Sequence, residues 1–145
     1  MEVRHAKEQD IEGILKLYCS FTGFEMPVMD EKLMKHWRTI LSTPDHHVLV
    51  AEEDGKPVST CVVVIIPNLT HGQQPYAFIE NVATDPDYRN RGFGTAVLNH
   101  AREIAEAANC FKIMLMTGSK RDSVLNFYEH AGYNRHDKTG FIRWL

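Results

Sequence analysis

Six consecutive residues, Arg89–Gly94, have the composition of a turn that binds an anion. Gly92 and Gly94 lack a Cβ atom, so they permit unusual backbone torsions and let a ligand approach the main chain closely. Apolar residues at helical spacing follow, and the first turn of a helix presents amide N–H groups and partial positive charge that hold a phosphate well. The segment is therefore either a phosphate-binding turn or an ordinary strand-to-helix turn with solvated arginines.

Two common phosphate-binding motifs are absent from this turn. A P-loop requires G-x-x-x-x-G-K-S/T, and a dinucleotide-binding fingerprint requires a third glycine or alanine where this chain has Val97. The run D-P-D-Y-R-N-R-G-F-G, residues 85–94, instead resembles Q/R-x-x-G-x-G/A, the acetyl-coenzyme A (acetyl-CoA) pyrophosphate loop of the GNAT superfamily of N-acetyltransferases. The resemblance implies that the turn binds this cofactor through Arg89, Asn90, Arg91, Gly92, Phe93 and Gly94.

A second motif lies downstream, in the segment Ser123–Tyr133. Gly132 suits the position that ends a helix, and apolar residues recur before it at helical spacing. These spaced residues are Val124, Phe127, Tyr128 and Ala131. By itself the segment is a capped amphipathic helix, yet it also resembles the second GNAT signature, a helix that ends in F-Y-x-x-x-G-F/Y. With the strand-like segment Cys110–Thr117 between them, the two motifs identify the chain as a GNAT member over residues 78–133.

Glu80 is the candidate for the group that removes a proton from the acceptor. Acetyl transfer requires a neutral nitrogen, whereas an alkylamine with a pKa of about 10.4 is almost wholly protonated at neutral pH. Glu80 lies on the predicted strand before the turn, where GNAT members often carry a glutamate that acts as a base directly or through a water. Phe78 and Val82 share its face by alternation, which predicts partial desolvation and a raised pKa. Alternatively, Glu80 holds the substrate ammonium group or pairs with an arginine.

Tyr128 is the candidate for the group that protonates the leaving thiolate. In the family, the tyrosine of the second signature lies near the thioester sulfur, and a phenol can donate its proton there. The alternative role is core packing, in which the buried hydroxyl needs a polar partner. The resemblance also implies that a backbone N–H near Val82 donates to the developing oxyanion.

The remaining site residues follow from the resemblance alone. The main chain that runs beside pantetheine in relatives corresponds here to Val82, Ala83 and Thr84. Seven residues before Tyr128, where many relatives have asparagine, this chain has Arg121, which we expect to contact a phosphate of the cofactor. The acceptor amine is expected beside Glu80 and Asn81, with Phe24 in one wall of its site.

Length, composition and charge set the class of protein. With 145 residues, of which 43% are hydrophobic and 24% charged, we expect one globular domain over residues 1–145. The net charge is −3 and no block of five like charges occurs, which argues against a nucleic-acid binder. The longest strongly apolar run, Cys61–Ile66, is too short to cross a membrane, and no signal-peptide pattern is found, so we expect a cytoplasmic protein.

Neither a disulfide framework nor a metal site is predicted. The three cysteines are widely separated, and the pair His46-His47 has no further ligands nearby.

The elements that must position these residues can be ordered along the chain. Asp10 and Asp30 are expected to cap two helices. The apolar stripe of the first helix consists of Ile11, Ile14, Leu15 and Tyr18. A hairpin that turns at Asp54–Pro57 follows, then the strand Tyr76–Thr84, and two strands that flank a polar stretch are expected after Tyr133. The order β-α-α-β-β-β-α-β-α-β-β is that of a GNAT fold, an α/β fold with a twisted mixed sheet of roughly six or seven strands and about four helices on both faces.

Three functions remain open on the sequence. The first is an acetyl-CoA-dependent N-acetyltransferase that works by direct attack in a ternary complex. Its acceptor would be a primary amine of a small molecule or peptide, and polyamines, amino acids, amino sugars and peptide N-termini all remain candidates. The second is a coenzyme A-binding sensor or regulatory module without turnover, which the presence of Glu80 and Tyr128 disfavours. The third, a nucleotide-binding domain, is disfavoured by the missing motif residues. A homodimer is expected by family analogy only.

Overall fold

The computed structural model describes residues 1–145 and contains one five-stranded sheet and four α-helices. The strands are β1 (Glu2–His5), β2 (His46–Glu53), β3 (Lys56–Ile66), β4 (Tyr76–Thr84) and β5 (Ile113–Leu115). The α-helices are α1 (Ile11–Thr22), α2 (Glu31–Ser42), α3 (Phe93–Ala107) and α4 (Asp122–His130). Contacts divide the chain into two compact units, Met1–Met114 and Leu115–Leu145.

The strands lie in the order β1-β2-β3-β4-β5, and the first four pair with their neighbours in antiparallel fashion. The α/β class and the predicted order of elements through α4 are therefore confirmed. The predicted strand number is wrong, because the two strands expected after Tyr133 do not form. Every residue from 134 to 145 is exposed, including Phe141 and Trp144, so this segment has no buried face of the kind that stabilises a strand.

An apolar layer covers each face of the sheet. On one face, a buried cluster joins the sheet to α1 and α2, and it consists of Ile11, Ile14, Trp37, Val48, Val50 and Val62. On the other face, α3 packs against β2, β3 and β4. Cys61 on β3 is fully buried there, and its thiol donates to Val97 O on α3 at 3.6 Å. The near-continuous apolar run of β3 thus serves both faces in alternation, and the predicted placement of helices on both faces is confirmed.

Three turns and helix ends form as the local sequence predicts. Asp54 and Gly55 both have positive φ, 51° and 75°, as a two-residue hairpin turn between β2 and β3 requires. Asp30 caps α2, since its Oδ1 accepts from Leu33 N at 2.8 Å. Gly132, with φ of 95°, follows the end of α4. None of the helices combines the length and the apolar character that crossing a membrane would need.

An ion-pair network joins β1, β2 and the start of α1. Arg4 donates to both oxygens of Asp10, at 2.7 and 3.1 Å, and its Nε donates to Glu52 Oε2 at 3.0 Å. Asp10 is only 5% exposed and also accepts from Lys7 N at 2.7 Å. The expectation that Asp10 caps α1 is therefore wrong, because its carboxylate is already bound to Arg4 and Lys7. Burial acts to raise the pKa of Asp10, but the hydrogen bonds from Arg4 and Lys7 outweigh it and hold the pKa below its ordinary value.

Replacing Asp10 with Asn should destabilise the protein by about 1.5–3 kcal/mol at pH 7, because the charge-assisted hydrogen bonds to Arg4 are lost. Because the native pKa is depressed, the carboxylate stabilises fully above its unfolded-state pKa of about 3.9, and this stabilisation is lost as the pH falls toward the native value. Urea unfolding should therefore show a difference between wild type and variant that shrinks from pH 7 to pH 3. As a control, Glu12→Gln removes an exposed pair with Lys16 and should leave stability almost unchanged. Equal losses in the two variants would contradict this role of Asp10.

Candidate active site

Strand β4 carries the predicted glutamate next to a β-bulge. Glu80 pairs with Val62 and Ala83 pairs with Thr60, so β4 advances three residues where β3 advances two. Within the bulge, Asn81 has a left-handed φ of 53°, which asparagine tolerates better than most other side chains. A bulge of this kind bends the strand and changes the direction in which the following residues point. The irregularity therefore falls in the stretch that the sequence predicts to meet the cofactor and the acceptor.

Glu80 is exposed, so its predicted desolvation is wrong. Phe78 does share its face, since the two residues pair with alternate positions of β3. Val82 was expected to share this face as well. The bulge at Asn81 interrupts the two-residue period, and the half-buried Val82 lies beyond the bulge. The carboxylate of Glu80 therefore lies at the surface, where a solvated amine can reach it.

The turn between β4 and α3 has the geometry of an anion cradle. Asn90 and Gly92 have φ of 58° and 86°, and α3 begins directly after Gly92. The helix starts with a bond from Ala96 N to Gly92 O at 2.9 Å, and no side chain caps it. A Cβ added at Gly92 would meet only Met1 Cε, at 3.8 Å, so the main chain is open on that side. Gly94, the second residue of α3, does not have a positive φ, so its contribution to the cradle is the absence of a side chain.

The two arginines of the turn differ in their surroundings. Arg89 and Arg91 are both exposed. Arg91, however, donates to Glu53 Oε1 at 2.7 Å, and its guanidinium lies 4.9 Å from the ring centroid of Tyr88 and 5.4 Å from that of Phe93. Arg91 is thus anchored to β2 and to two aromatic rings, which differs from the freely solvated arginine of the simpler interpretation.

The side chains of other predicted cofactor-binding residues make hydrogen bonds or pack within the fold. Thr84 Oγ1 lies 2.8 Å from Ser59 Oγ, and Ser59 Oγ also donates to Ala83 O at 3.1 Å. Arg89 Nε donates to Thr84 O at 3.4 Å. The ring of Phe93 is 3% exposed and packs near Tyr88. The side chains of Thr84 and Phe93 are therefore occupied within the fold, and main-chain contact of Ala83 and Thr84 with the cofactor stays a prediction.

In the second unit, α4 carries the two remaining predicted residues. Tyr128 is partly buried, and its ring centroid lies 5.0 Å from that of Phe127 and 6.4 Å from that of Tyr133. Arg121 is exposed at the N-cap position, where its backbone N–H donates to Ser119 Oγ at 3.3 Å. Tyr128 is thus held among aromatic rings, and the guanidinium of Arg121 is on the surface.

The loop between α1 and α2 presents an apolar surface. Phe24, predicted in the acceptor wall, is 77% exposed, and Phe21 at the end of α1 is 50% exposed. The rings of Phe21 and Tyr18 meet edge to face, with centroids 6.2 Å apart. Apolar rings are therefore exposed both at the end of α1 and in the loop that follows it.

Tyr18 marks a part of the site that the sequence analysis did not predict. Its hydroxyl lies near the side chains of Thr60 and Asn81, and burial raises the pKa of Tyr18 to about 12. It lines a partly open cavity of about 220 Å³, called here the inner cavity, which lies between α1, α2 and the strands β2 to β4. The helical stripe predicted only that Tyr18 is in the core. An asparagine in the middle of a strand was the one available sign of the bulge that it contacts.

Histidines and cysteines do not assemble into a metal centre. No group of three or more histidine, cysteine, aspartate or glutamate residues could hold a metal ion. The nearest approach of imidazoles joins β1 to β2, where His5 Nε2 lies 3.0 Å from His47 Nδ1. The cysteines Cys19, Cys61 and Cys110 are free thiols.

Comparison with other proteins shows relatives along nearly the whole chain. A glucosamine 6-phosphate N-acetyltransferase of Trypanosoma brucei brucei is 32% identical over 144 residues, which are 95% of this chain and 92% of that protein. A protein of Methanocaldococcus jannaschii described as an uncharacterized N-acetyltransferase is 27% identical over 149 residues. That match covers 99% of this chain, which spans only 65% of the relative's length. A solved structure from Agrobacterium tumefaciens strain C58 has 38% identity and a TM-score of 0.92, with 99% of this chain and 100% of that chain covered.

These matches agree with the fold and with both sequence motifs. The family model for the acetyltransferase (GNAT) family matches residues 11–133, which include the cradle, the bulged strand and α4. The predicted GNAT fold and the predicted acyltransferase class of enzyme are confirmed by this match and by the relatives named as N-acetyltransferases. The chain belongs to the acetyltransferase (GNAT) family.

Proposed function

We propose that this chain is an acetyl-CoA-dependent N-acetyltransferase that moves an acetyl group onto a primary amine by direct attack in a ternary complex. The observation that carries the proposal is the uncapped start of α3, which follows the bulged strand β4 with Gly92 in a left-handed conformation. We further propose that residues 1–145 act as one domain, in the cytoplasm and as a homodimer.

The cradle suits the pyrophosphate of acetyl-CoA. The first amides of α3 and the positive end of its dipole attract an anion, and the open side of Gly92 lets that anion approach the main chain. Arg89 adds an exposed charge, while the pair with Glu53 holds Arg91 beside the turn. A diphosphate, with more than one negative charge, matches this combination of amides and guanidinium groups better than a carboxylate would.

Acetyl-CoA supplies a thioester whose carbonyl carbon is attacked by the amine nitrogen, with coenzyme A leaving as the thiol. Glu80 is the proposed proton acceptor for that amine, either directly or through a water, and its exposure beside the bulge supports this role. The same exposure also allows Glu80 to hold the ammonium form of the acceptor by a charge-assisted hydrogen bond. The two roles predict different kinetics.

Tyr128 is the proposed proton donor to the leaving sulfur. A phenol is a donor of suitable strength for a thiolate, and the partly buried ring is fixed between Phe127 and Tyr133. The backbone N–H groups near Val82, in the stretch that the bulge distorts, are proposed to stabilise the developing oxyanion. Arg121, exposed at the start of α4, is proposed to contact a phosphate of the cofactor.

Replacing Gly94 with Glu should abolish acetyl-CoA binding, because bulk and negative charge enter the first turn of α3. The measurement is the shift in melting temperature that acetyl-CoA produces in each protein. Asn99→Glu is the matched control, since it adds the same charge to an exposed position of α3 beyond the first turn, and its shift should equal that of wild type. An unchanged shift in the Gly94 variant would refute the cradle assignment. Normal binding without thiol release for any amine would instead favour the sensor module.

Tyr128→Phe removes one hydroxyl, so the fold and acetyl-CoA affinity should survive while the turnover number falls by about 10²-fold or more. Steady-state thiol release at saturating amine gives the turnover number. Tyr133→Phe changes a neighbouring ring in the same way and should retain turnover. Equal turnover of wild type and the Tyr128 variant would leave Tyr128 with a packing role only.

Glu80→Gln keeps the shape and an acceptor oxygen but loses charge and basicity. If Glu80 takes the proton, the turnover number should fall by about 10²-fold or more with little change in the amine KM, and the acidic limb of the pH profile should move or disappear. If it only holds a cationic substrate, KM should rise while turnover at saturation is kept. We expect the first outcome, with a rate that still rises toward alkaline pH because the amine itself must lose a proton. Wild-type activity at every pH would remove Glu80 from the mechanism.

A further inference from the structure

The inner cavity is apolar over most of its wall. Ile14, Trp37, Val48 and Val62 line it, while Tyr18 and Asn81 place polar atoms at one part of the lining. Its volume is about 220 Å³. A cavity of about 150 Å³ lined by aliphatic and aromatic side chains is large enough to bind benzene, so this one has room for an aromatic ring with a short chain.

The lining of the inner cavity offers no permanent charge. No lysine, arginine, aspartate or glutamate lines it, so a phosphate or a second ammonium group would find no permanent counter-charge there. Two histidines, His36 and His46, do line it, and Nδ1 of His46 is buried without a hydrogen-bond partner in the chain. A mostly apolar wall with a few polar groups, one of them lacking a hydrogen-bond partner, suits a ligand whose buried part is neutral.

The inner cavity reaches the surface beside the proposed catalytic glutamate. Asn81 lines the cavity and is also exposed, so the cavity wall continues to solvent at the bulge. Glu80 is the preceding residue, and it pairs with Val62, which lines the cavity on the same face of the sheet. Directly paired residues have Cβ atoms about 4.5–5.5 Å apart, so an apolar body in the cavity would leave its amine near Glu80.

From this arrangement we propose that the acceptor is a primary amine carried on a small apolar group, of the arylalkylamine class, whose apolar part enters the inner cavity. The proposal rests on the proposed acetyltransferase function and narrows its substrate class. It disfavours sugar phosphates, although one relative is named for glucosamine 6-phosphate. The half-exposed ring of Phe21 meets Tyr18 edge to face, so the apolar surface continues outward from the cavity lining along α1.

The first test compares acceptors at saturating acetyl-CoA. We expect kcat/KM for 2-phenylethylamine to exceed those for glucosamine 6-phosphate and spermidine by about 30-fold or more, the effect of burying one aromatic ring. Higher kcat/KM with either polar amine would overturn the substrate class and leave the acetyltransferase proposal standing. No thiol release with any amine, together with no thermal shift by acetyl-CoA, would overturn both.

The second test narrows the inner cavity. Leu33 on α2 lines it and is only partly buried, so Leu33→Trp should fill part of the space without breaking the core. Met34→Trp is the matched control, because Met34 packs against the same cluster without lining the cavity. We expect the Leu33 variant to raise the KM for 2-phenylethylamine about tenfold or more, while the KM for ethylamine and the thermal shift by acetyl-CoA stay unchanged.

A second variant that narrows the inner cavity keeps the proposal testable if the Leu33 variant misfolds. Ile40→Phe acts from another position of α2 that lines the inner cavity, and circular dichroism checks the fold of each protein. A KM for 2-phenylethylamine that is equal in the Leu33, Ile40 and Met34 variants would place the acceptor outside the inner cavity and overturn the proposal.

Discussion

The register shift between β3 and β4 is the constraint on which the site depends. One additional residue in β4 separates the part paired through Glu80 from the part paired from Ala83 onward. Because side chains alternate along a strand, a shift of one residue exchanges the faces of everything that follows. Asp85, just after the strand, bonds through its backbone N–H to Val58 O at 2.9 Å, so the shifted register continues to the start of the cradle turn. The bulge therefore sets the position of the cradle as well as that of Glu80.

The bulged strand is in turn packed against α1. Burial raises the pKa of the Tyr18 phenol to about 12, so its hydroxyl stays protonated, and Tyr18 on α1 lines the same cavity as Asn81 of the bulge. The start of the same helix is anchored by Asp10 to Arg4 on β1, and Arg4 also bonds Glu52 on β2. Helix α1 is thus anchored at its start by an ion pair and packs further along against β3 and β4. An exposed site residue on β4, such as Glu80, gains a defined position from these buried contacts.

The sequence predicts the regular parts of the molecule well, because local patterns determine them. The bounds of β4, the cap at Asp30 and the helix that begins after Gly92 all follow from alternation, capping chemistry or glycine torsions. The cradle and its family motif were equally visible, since their residues are contiguous. The bulge at Asn81 was not predicted, because period-two alternation assumes a regular ladder and pairing with β3 depends on residues about 20 positions away.

Two other differences between the predicted and the observed structure, and the unpredicted inner cavity, have similar causes. Asp10 has the residue type and position of a helix cap. Its carboxylate instead binds the charged guanidinium of Arg4 on β1, which attracts it more strongly than the neutral amides of α1. The segment after Tyr133 has apolar residues at its end, but composition alone does not provide a partner strand. The inner cavity is a product of packing among five elements, which no local pattern records.

The burial of Cys61 determines how this cysteine reacts with reagents that detect thiols. Disulfide reagents react with thiolates, and burial raises the pKa of the fully enclosed Cys61 thiol to about 12. Burial also raises the pKa of Cys110 above its ordinary value. A reagent that detects free coenzyme A would therefore leave Cys61 unmodified while the layer between α3 and the sheet is closed. Slow labelling of Cys61 would record the rate at which that layer opens, so the native chain carries its own probe of global unfolding.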